Sequence, residues 1–468
     1  MSKFELINDQ DIVGSFCTDS SNYPGHAEAL VRPKSTDEVV EIVKEANAKQ
    51  IPVTVIGNRS SLTGGAAPEG GWILDTSQMT KVIEINHKEK FALAEPGMML
   101  SDFKKVILDE GLFYAPDPTS EKECFFGGSV ATNASGSRTF KYGSTRRYVR
   151  ALEVVLASGE VLQVRRPEIE KNTFGYLPFQ NMVDIFVGSE GTLGIITKAE
   201  VDLINKPENF FGGIAFFKTL AEALDFVLEV RKELTKENPK ITPRVIELFD
   251  QYGLNIIRPD SVFKIPEIAK AGIFFEQEYK SSSNFEKIID NWLSFLELNK
   301  TLVEDTIIAD QPKQQDELRT LRHKVPSSLF EDGGKFVQNG GGKVSTDWSV
   351  PISKIHEIIS YAQDLAKKAK IEEPVIYGHI GNGHPHYNFI AKSSTEKKQI
   401  LEVVHKTCQK VVLLGGTIAA EHGIGKIKRD FVKYQYPSSI INAMKAMKYS
   451  LDPNSIMAPG NIFEPNFN

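Results

Sequence analysis

From residue 212 the chain repeats an order that few folds accommodate. GGIAFF (212–217) reads as a strand, LAEALDFVLEVRKEL (220–234) as a helix, and TPRVIELF (242–249) and AGIFFEQE (271–278) as strands. NFEKIIDNWLSFLEL (284–298) reads as a second helix and DTIIAD (305–310) as a last strand. Apolar residues recur at helical spacing in the longer segments and crowd into short β-rich runs in the others. A β-α-β-β-α-β order predicts a ferredoxin-like α+β domain. LINKPENF (203–210) bounds it on the N-terminal side. The whole chain has 468 residues, too many for one ordinary core, so further domains are expected.

Upstream, STDEVVEIVKEANAKQ (35–50) is an amphipathic helix with Val39, Ile42, Val43 and Ala46 on one face, and Ser35 and Glu38 forming a capping box. IPVTVIG (51–57) is a strand ending in glycine. ALEVVLASGEVLQV (151–164) reads as a hairpin, and DIFVGSEGTLGIITKAEVDL (184–203) as two short strands about a glycine turn. The net charge of −6 argues against nucleic-acid binding. Cys17, Cys124 and Cys408 are widely spaced and form no CxxC pair, which fits a reducing compartment. VVLLGGTIAA (411–420) is the longest weakly polar run, about half of the ~20 residues a transmembrane helix needs. MSKFELINDQD at the N-terminus lacks the apolar core of a signal peptide. A cytoplasmic enzyme is expected, with peripheral membrane association left open.

Two stretches are rich in glycine and hydroxyl residues: GNRSSLTGGAAPEGG (57–71), directly after a strand, and PDPTSEKECFFGGSVATNASGSRTFKYG (116–143). Small residues let a backbone approach a ligand, and their amides can surround a pyrophosphate. Neither holds GxGxxG or GxxxxGK[ST], so a Rossmann or P-loop site is not indicated. With VGSEGTLG (187–194) they suggest a large phosphorylated ligand lying along the domain.

GHIGNGHPHYN (378–388) gathers three of the nine histidines. Asn382-Gly383 is a strong two-residue hairpin signal. A turn there would set His379 opposite His386 and Gly381 opposite His384, with all three histidines on one face. Opposed Cβ atoms about 4.5–5.5 Å apart allow two imidazoles to share a metal. The pattern admits a plain polar loop or a metal site. In the latter, Glu421 of AAEHGIGK (419–426) can supply the carboxylate that two neutral imidazoles commonly take as a third ligand.

VIGNRSSLTGG, PDPTS, GGSVATNASGSRTFKYG and VGSEGTLGIIT together resemble the FAD-binding domain of vanillyl-alcohol-oxidase-type flavoproteins. With GHIGNGHPH and AAEHGIG they resemble the FAD-linked D-2-hydroxyacid dehydrogenase branch, which holds D-lactate dehydrogenases, the glycolate oxidase flavin subunit and D-2-hydroxyglutarate dehydrogenase. The resemblance implies an α+β protein: a two-subdomain FAD-binding domain at 1–205, a ferredoxin-like substrate (cap) domain with the histidine hairpin at 206–420, and a segment at 421–468 returning to the FAD domain. It implies that Gly57, Asn58, Arg59, Ser60, Ser61, Thr63, Gly64 and Gly65 grip the pyrophosphate. Pro116, Asp117, Gly127, Gly128, Thr132, Asn133, Gly136 and Gly143 line the FAD, and Gly191 and Ile196 lie beside its far end. Neither glycine-rich stretch contains histidine, so no histidyl–flavin bond forms there and noncovalent FAD is expected.

The same resemblance implies His379, His386 and Glu421 as ligands of a divalent ion, zinc or manganese, and His422 as catalytic base. His422 precedes GIGKIKRDFV, which reads as a helix start that would keep the imidazole neutral. Arg322 in LRTLRHK (318–324) matches the arginine that binds the substrate acid, and Lys343 in KVSTDWSVP (343–351) is a weaker match for a substrate lysine. His384 departs from the family pattern and stands as a fourth ligand, a substrate contact or neither. SLDPNSIMAPGNIF (450–463) resembles the family's tail, but Asn461 stands where the tail carries lysine. The reaction implied is oxidation of a small D-2-hydroxy acid, most simply D-lactate, by hydride transfer to FAD. Within the family, a glycolate-oxidase-type flavin subunit with partner subunits and a D-2-hydroxyglutarate dehydrogenase are the alternatives. A flavin-free metallohydrolase and a silent flavin-binding scaffold are rivals of another class. A quinone, a cytochrome or an electron-transfer flavoprotein would accept the electrons, and a homodimer is compatible with the chain.

Overall fold

The helix Thr36–Ala48 shows how local sequence sets local structure. The Ser35 side chain accepts the Glu38 amide at 3.3 Å. The Glu38 carboxylate reaches back to the Lys34 amide at 2.8 Å, one residue before the position a regular capping box uses. Val39, Ile42, Val43 and Ala46 are all 0% exposed, so the predicted apolar face is the buried one.

The computed structural model describes residues 4–280 and 282–465. The chain forms two compact units. One comprises residues up to Gly136, Gly143–Lys206 and the chain from Glu421 on; the other comprises Ser137–Tyr142 and Pro207–Ala420.

In the first unit, β1 (Ala29–Val31), β2 (Val53–Ile56) and β3 (Trp72–Asp75) make a parallel sheet of order β1-β3-β2. The C-terminal segment lies along β2, with Val53 donating to Ile456 and Ala458 donating to Val53. Ile456 and Met457 thereby join the Val39–Ile42–Val43 core. An antiparallel sheet of order β4-β5-β9-β7-β8 is built from β4 (Val82–Asn86), β5 (Phe91–Ala94), β7 (Val149–Val155), β8 (Val161–Arg165) and β9 (Ile195–Asp202). β6 (Leu112–Phe113) pairs with β10 (Ile204–Asn205). The 151–164 hairpin is present as β7–β8. The 184–203 reading is corrected: Val183–Phe186 is a short helix, and only β9 is a strand. Val183 and Phe186 are both buried at helical spacing, and the left-handed residues Gly188, Glu190 and Gly191 interrupt any ladder before β9.

The second unit contains β11 (Asn209–Phe217), β12 (Pro243–Asp250), β13 (Ala271–Tyr279) and β14 (Ile307–Ala309) in the order β14-β11-β13-β12, all antiparallel. This is the arrangement of a ferredoxin-like sheet. Beyond β12 the sheet continues through β16 (Val375–Gly378), β17 (His386–Ala391) and β15 (Gly342–Ser345). On one face, Trp292 of the Ser282–Leu298 helix stacks on Phe275 at 4.0 Å. On the other, the Pro312–Gly334 helix lays Leu318, Leu321, Val325 and Leu329 against Val245, Phe249 and Tyr377.

The buried face of the Thr36–Ala48 helix carries a direct test. Ile42→Ala should lower the unfolding free energy of the first unit by about 2–5 kcal/mol, the usual cost of such a cavity, measured by urea denaturation. A loss under ~1 kcal/mol would contradict the packing described.

Candidate functional site

The histidine segment folds differently from the predicted hairpin. β16 and β17 pair with Tyr377, not His379, opposite His386. Residues 379–385 form a wider connection containing a 3-10 turn, Ile380–Asn382. Asn382 and His384 both donate their amides to the His379 carbonyl, at 2.9 and 3.2 Å. Gly383 has the left-handed φ of 68°, whereas Asn382 ends the 3-10 turn, so no two-residue primed turn forms. The reason is burial: Ile380 is 0% exposed and draws the chain inward, and Pro385 has no amide to give a ladder.

The three rings meet nonetheless. Centroid separations are 5.2 Å for His379–His386, 5.4 Å for His379–His384 and 4.7 Å for His384–His386, and all three residues are buried. His379 Nδ1 lies 2.6 Å from Glu247 Oε1. The other oxygen of Glu247 accepts Arg322 through Nε and Nη2, both at 2.9 Å. Burial works to raise the Glu247 carboxyl, but the charges and hydrogen bonds of His379 and Arg322 outweigh it and hold the group below its ordinary value. An ionised Glu247 takes the Nδ1 proton of His379 as a hydrogen bond and fixes the orientation of the ring. His384 Nε2 is buried, 3.2 Å from Asp347 Oδ1, at an angle that makes no hydrogen bond. A buried imidazole nitrogen in that position suits a cation held by imidazole and carboxylate donors.

Arg322 sits in the Pro312–Gly334 helix and is paired with Glu247. Lys343 lies in β15 opposite Ile390, two residues before Ser345, which is opposite Asn388. Strand alternation therefore puts Lys343, Ser345, Asn388 and His386 on one sheet face. Burial lowers the Lys343 amine to about 8.

The flavin-type motifs fall in the first unit, except Ser137–Tyr142 of the second glycine-rich stretch, which belong to the other. Gly57 closes β2, and Ser61 Oγ accepts the Thr63 and Gly65 amides, both at 3.2 Å. Among the described residues no acceptor meets the amides of Arg59, Ser60, Ser61 or Leu62. These are donors of the kind a pyrophosphate takes. The Asn58 and Arg59 side chains turn away, Asn58 to the Glu123 carbonyl at 2.9 Å and Arg59 over the Phe16 ring at 4.6 Å. Gly136 is packed so closely that a Cβ there would stand 2.0 Å from the Asp117 carbonyl oxygen, which draws the Pro116–Asp117 corner onto the second glycine-rich stretch; a Cβ at Gly128 would meet nothing within 4 Å. Gly127 and Gly128 lie in the short helix Phe126–Ala131. Thr132 Oγ1 donates to the Gly128 carbonyl at 2.9 Å, and Asn133 Oδ1 accepts the Arg146 amide at 2.8 Å. Gly143 begins the stretch that rejoins this unit. Gly191 precedes β9, where Ile196 is buried opposite Val154.

Glu421 and His422 are in the same unit, with His422 Nε2 3.2 Å from Glu421 Oε1. The expected helix start at His422 is absent. The next helical turn, Arg429–Phe431, begins seven residues later, so no helix dipole acts on the imidazole. Glu190 orders the loop instead: its two carboxylate oxygens accept the Ile424 and Gly425 amides, each at 2.7 Å. Thr63 Oγ1 donates to the His422 carbonyl at 3.3 Å, and Asn461 Nδ2 donates to the carbonyls of Gly65 and Glu190. Glu247 and Glu190 are residues that the sequence alone does not single out, and Asn461 shows there only as a departure from the family's tail. For Glu247 a signal exists, since it is a carboxylate inside RVIELF, a run otherwise suited to a buried strand.

Residues 27–165 match the family model described as FAD binding domain, and residues 206–462 the one described as FAD linked oxidases, C-terminal domain. Over its length the chain is 31% identical to glycolate oxidase subunit GlcD of Bacillus subtilis (strain 168), covering 94% of this chain and 90% of that protein. It is 30% identical to a D-lactate dehydrogenase of Anaerostipes hadrus, with 93% and 89% covered. It is 26% identical to a D-2-hydroxyglutarate dehydrogenase of Stutzerimonas stutzeri (strain A1501), with 98% and 96% covered. Among solved structures, 4-ethylphenol oxidase from Gulosibacter chungangensis superposes with a TM-score of 0.72 at 17% identity, covering 99% of this chain and 95% of that one. An alkyldihydroxyacetonephosphate synthase superposes at 0.71 and 18%, covering 97% and 82%. The fold is that of the vanillyl-alcohol-oxidase-type flavoproteins.

Glu247 holds a buried guanidinium and a buried imidazole at once, so its charge is testable without any ligand. Glu247→Gln should lower the stability of the second unit by roughly 3–5 kcal/mol, the cost of removing one partner of a buried ion pair. Thermal unfolding of metal-stripped protein reads this, and an unchanged midpoint would contradict it.

Proposed function

Because this chain belongs to the FAD-linked oxidases, as an oxidoreductase of the D-2-hydroxyacid dehydrogenase and glycolate oxidase type, we propose that it oxidises a small D-2-hydroxy acid, D-lactate or a near relative, to the 2-oxo acid. The observation that carries the reading is the cluster of three buried imidazoles, with His379 held by Glu247, in a chain that also carries the FAD motifs. Residues 1–205 and 421–468 would hold FAD noncovalently and residues 206–420 the substrate. His379, His386 and Glu421 would hold a divalent ion, zinc or manganese, and His384 is a further donor. Glu421 follows Ala420, whose amide donates to the Asp347 carbonyl at 2.8 Å.

The chemistry divides among the residues. Arg322 supplies positive charge for the substrate carboxylate, and Lys343 a second cation on the sheet face shared with His386. A bound divalent ion would draw electron density from the substrate's carboxylate and hydroxyl oxygens and make the hydroxyl more acidic. His422 would take the hydroxyl proton, and FAD held by the glycine-rich loops would supply the two-electron acceptor for the hydride on the carbon that bears that hydroxyl. The loop held by Glu190 and Thr63 keeps His422 in place for that transfer. The relatives named D-lactate dehydrogenase and glycolate oxidase subunit support a one-carboxylate substrate, and the second of these names supports a reading in which the chain works with partner subunits. Among the described residues no helix is long and apolar enough to cross a membrane. Electrons would pass on to a quinone, a cytochrome or an electron-transfer flavoprotein.

Anaerobic mixing with matched D- and L-2-hydroxy acids should bleach the flavin with D-acids only. His422→Asn should keep FAD and slow flavin reduction at saturating acid by about 100- to 10,000-fold, whereas Arg322→Ala should chiefly raise the acid concentration needed. Bleaching by L-acids, or reduction of His422→Asn at the wild-type rate, would overturn the assignment.

A further inference from the structure

Lys426 is a buried amine that the proposed reaction does not use. Only 3% of the residue is exposed. Its Nζ donates to Asn461 Oδ1 at 2.6 Å and to the Gly64 carbonyl at 3.3 Å. Its backbone is pinned to the same loop: the Lys426 and Ile427 amides both donate to the Thr63 carbonyl, at 2.9 and 3.0 Å. The approach is close because residue 425 is glycine, with a φ of 53° and a Thr63 carbonyl oxygen 2.3 Å from where a Cβ would stand. The amine is thus seated against the Gly57–Gly65 loop.

The surroundings are unusual for a lysine. Both bonded partners are neutral oxygens, and an ammonium has three protons to donate. Burial is the largest influence and lowers the amine to about 8; Glu69, Asp19 and Glu190 act at longer range to raise it, and Arg429 to lower it. A buried cation without a bonded counter-charge is costly unless a ligand brings the charge. The loop beside it presents the Arg59–Leu62 amides, for which no acceptor lies among the described residues. Cation and amide donors together make a site for an anion with several oxygens.

We propose that Lys426 is the counter-cation for the FAD pyrophosphate and makes FAD binding proton-linked. This rests on the flavin assignment of the Gly57–Gly65 loop. The sign follows from linkage. An amine whose value is raised when an anion arrives holds its proton more tightly in the complex. FAD affinity is therefore full well below pH 8 and falls as pH rises through 8 toward the higher value in the complex. Arginine at 426 would stay charged over this range and lysine would not.

The test is the equilibrium release of FAD on dilution of the holoprotein, read by the fluorescence of free FAD between pH 7 and 9.5. One linked proton allows up to tenfold per pH unit, so the wild-type dissociation constant should rise by about tenfold over the range. Lys426→Met should release FAD about tenfold more readily at pH 7 and show no pH slope, and Lys426→Arg should bind near the wild-type level at pH 7 and also be flat. A flat wild-type profile, or a Lys426→Met protein that holds FAD as tightly as wild type, would overturn the inference. If Lys426→Met does not fold, the wild-type and Lys426→Arg profiles decide alone. A purified protein holding no FAD at any pH would overturn the flavin assignment itself, and this inference with it.

Discussion

The carboxylate of Glu247 is the constraint on which the second unit turns. It lies in β12, every residue of which is buried, and a lone ionised carboxylate there would be untenable. Its two oxygens are answered by Arg322 and His379, one from the Pro312–Gly334 helix and one from the loop after β16. The sheet order makes this possible, because β12 is flanked by β13 on one side and β16 on the other. The ferredoxin-like arrangement therefore does more than build a core. It sets β16 against β12, so that the residue following β16 faces Glu247, and the other two imidazoles gather around that fixed ring.

The first unit uses the same device with different groups. Glu190 is half-buried, and burial raises its carboxyl even though it accepts two amides. By clamping Ile424 and Gly425 it ties the loop carrying Glu421 and His422 to the VGSEGTLG segment. Asn461 closes the arrangement by bridging the Gly65 and Glu190 carbonyls. Four stretches of the chain are thus fixed to one another by hydrogen bonds to backbone atoms, which little in the local sequence announces.

What could be read directly was local. The face of the Thr36–Ala48 helix, the β7–β8 hairpin and the β-α-β-β-α-β order each follow from periodicity and turn residues within a short window. What escaped depended on distant partners. Asn382-Gly383 is a strong hairpin signal, yet Ile380 enters the core, Phe140 packs against Gly381, and the register slips to pair Tyr377 with His386. Val183–Phe186 has the composition of a strand but buries two residues at helical spacing. The segment after His422 contains three basic residues and two glycines that looked like a helix start, and it is a loop because Glu190 takes its amides. The glycine-rich motifs pointed to FAD, and the family match supports that. The partner that orients His379, Glu247, comes from elsewhere in the chain and became visible only with the fold.

In the proposed function, His379 and His386, with His384 beside them, hold a divalent ion near the reacting acid. Anomalous X-ray scattering measured across the zinc and manganese absorption edges, on crystals of the holoprotein, tests it most directly. The account requires an anomalous peak about 2.0–2.2 Å from the Nε2 atom of His379 and within bonding reach of at least one other ring of the cluster. Fully ordered rings with no anomalous peak among them at either edge, in protein that bleaches with a D-2-hydroxy acid, would contradict it.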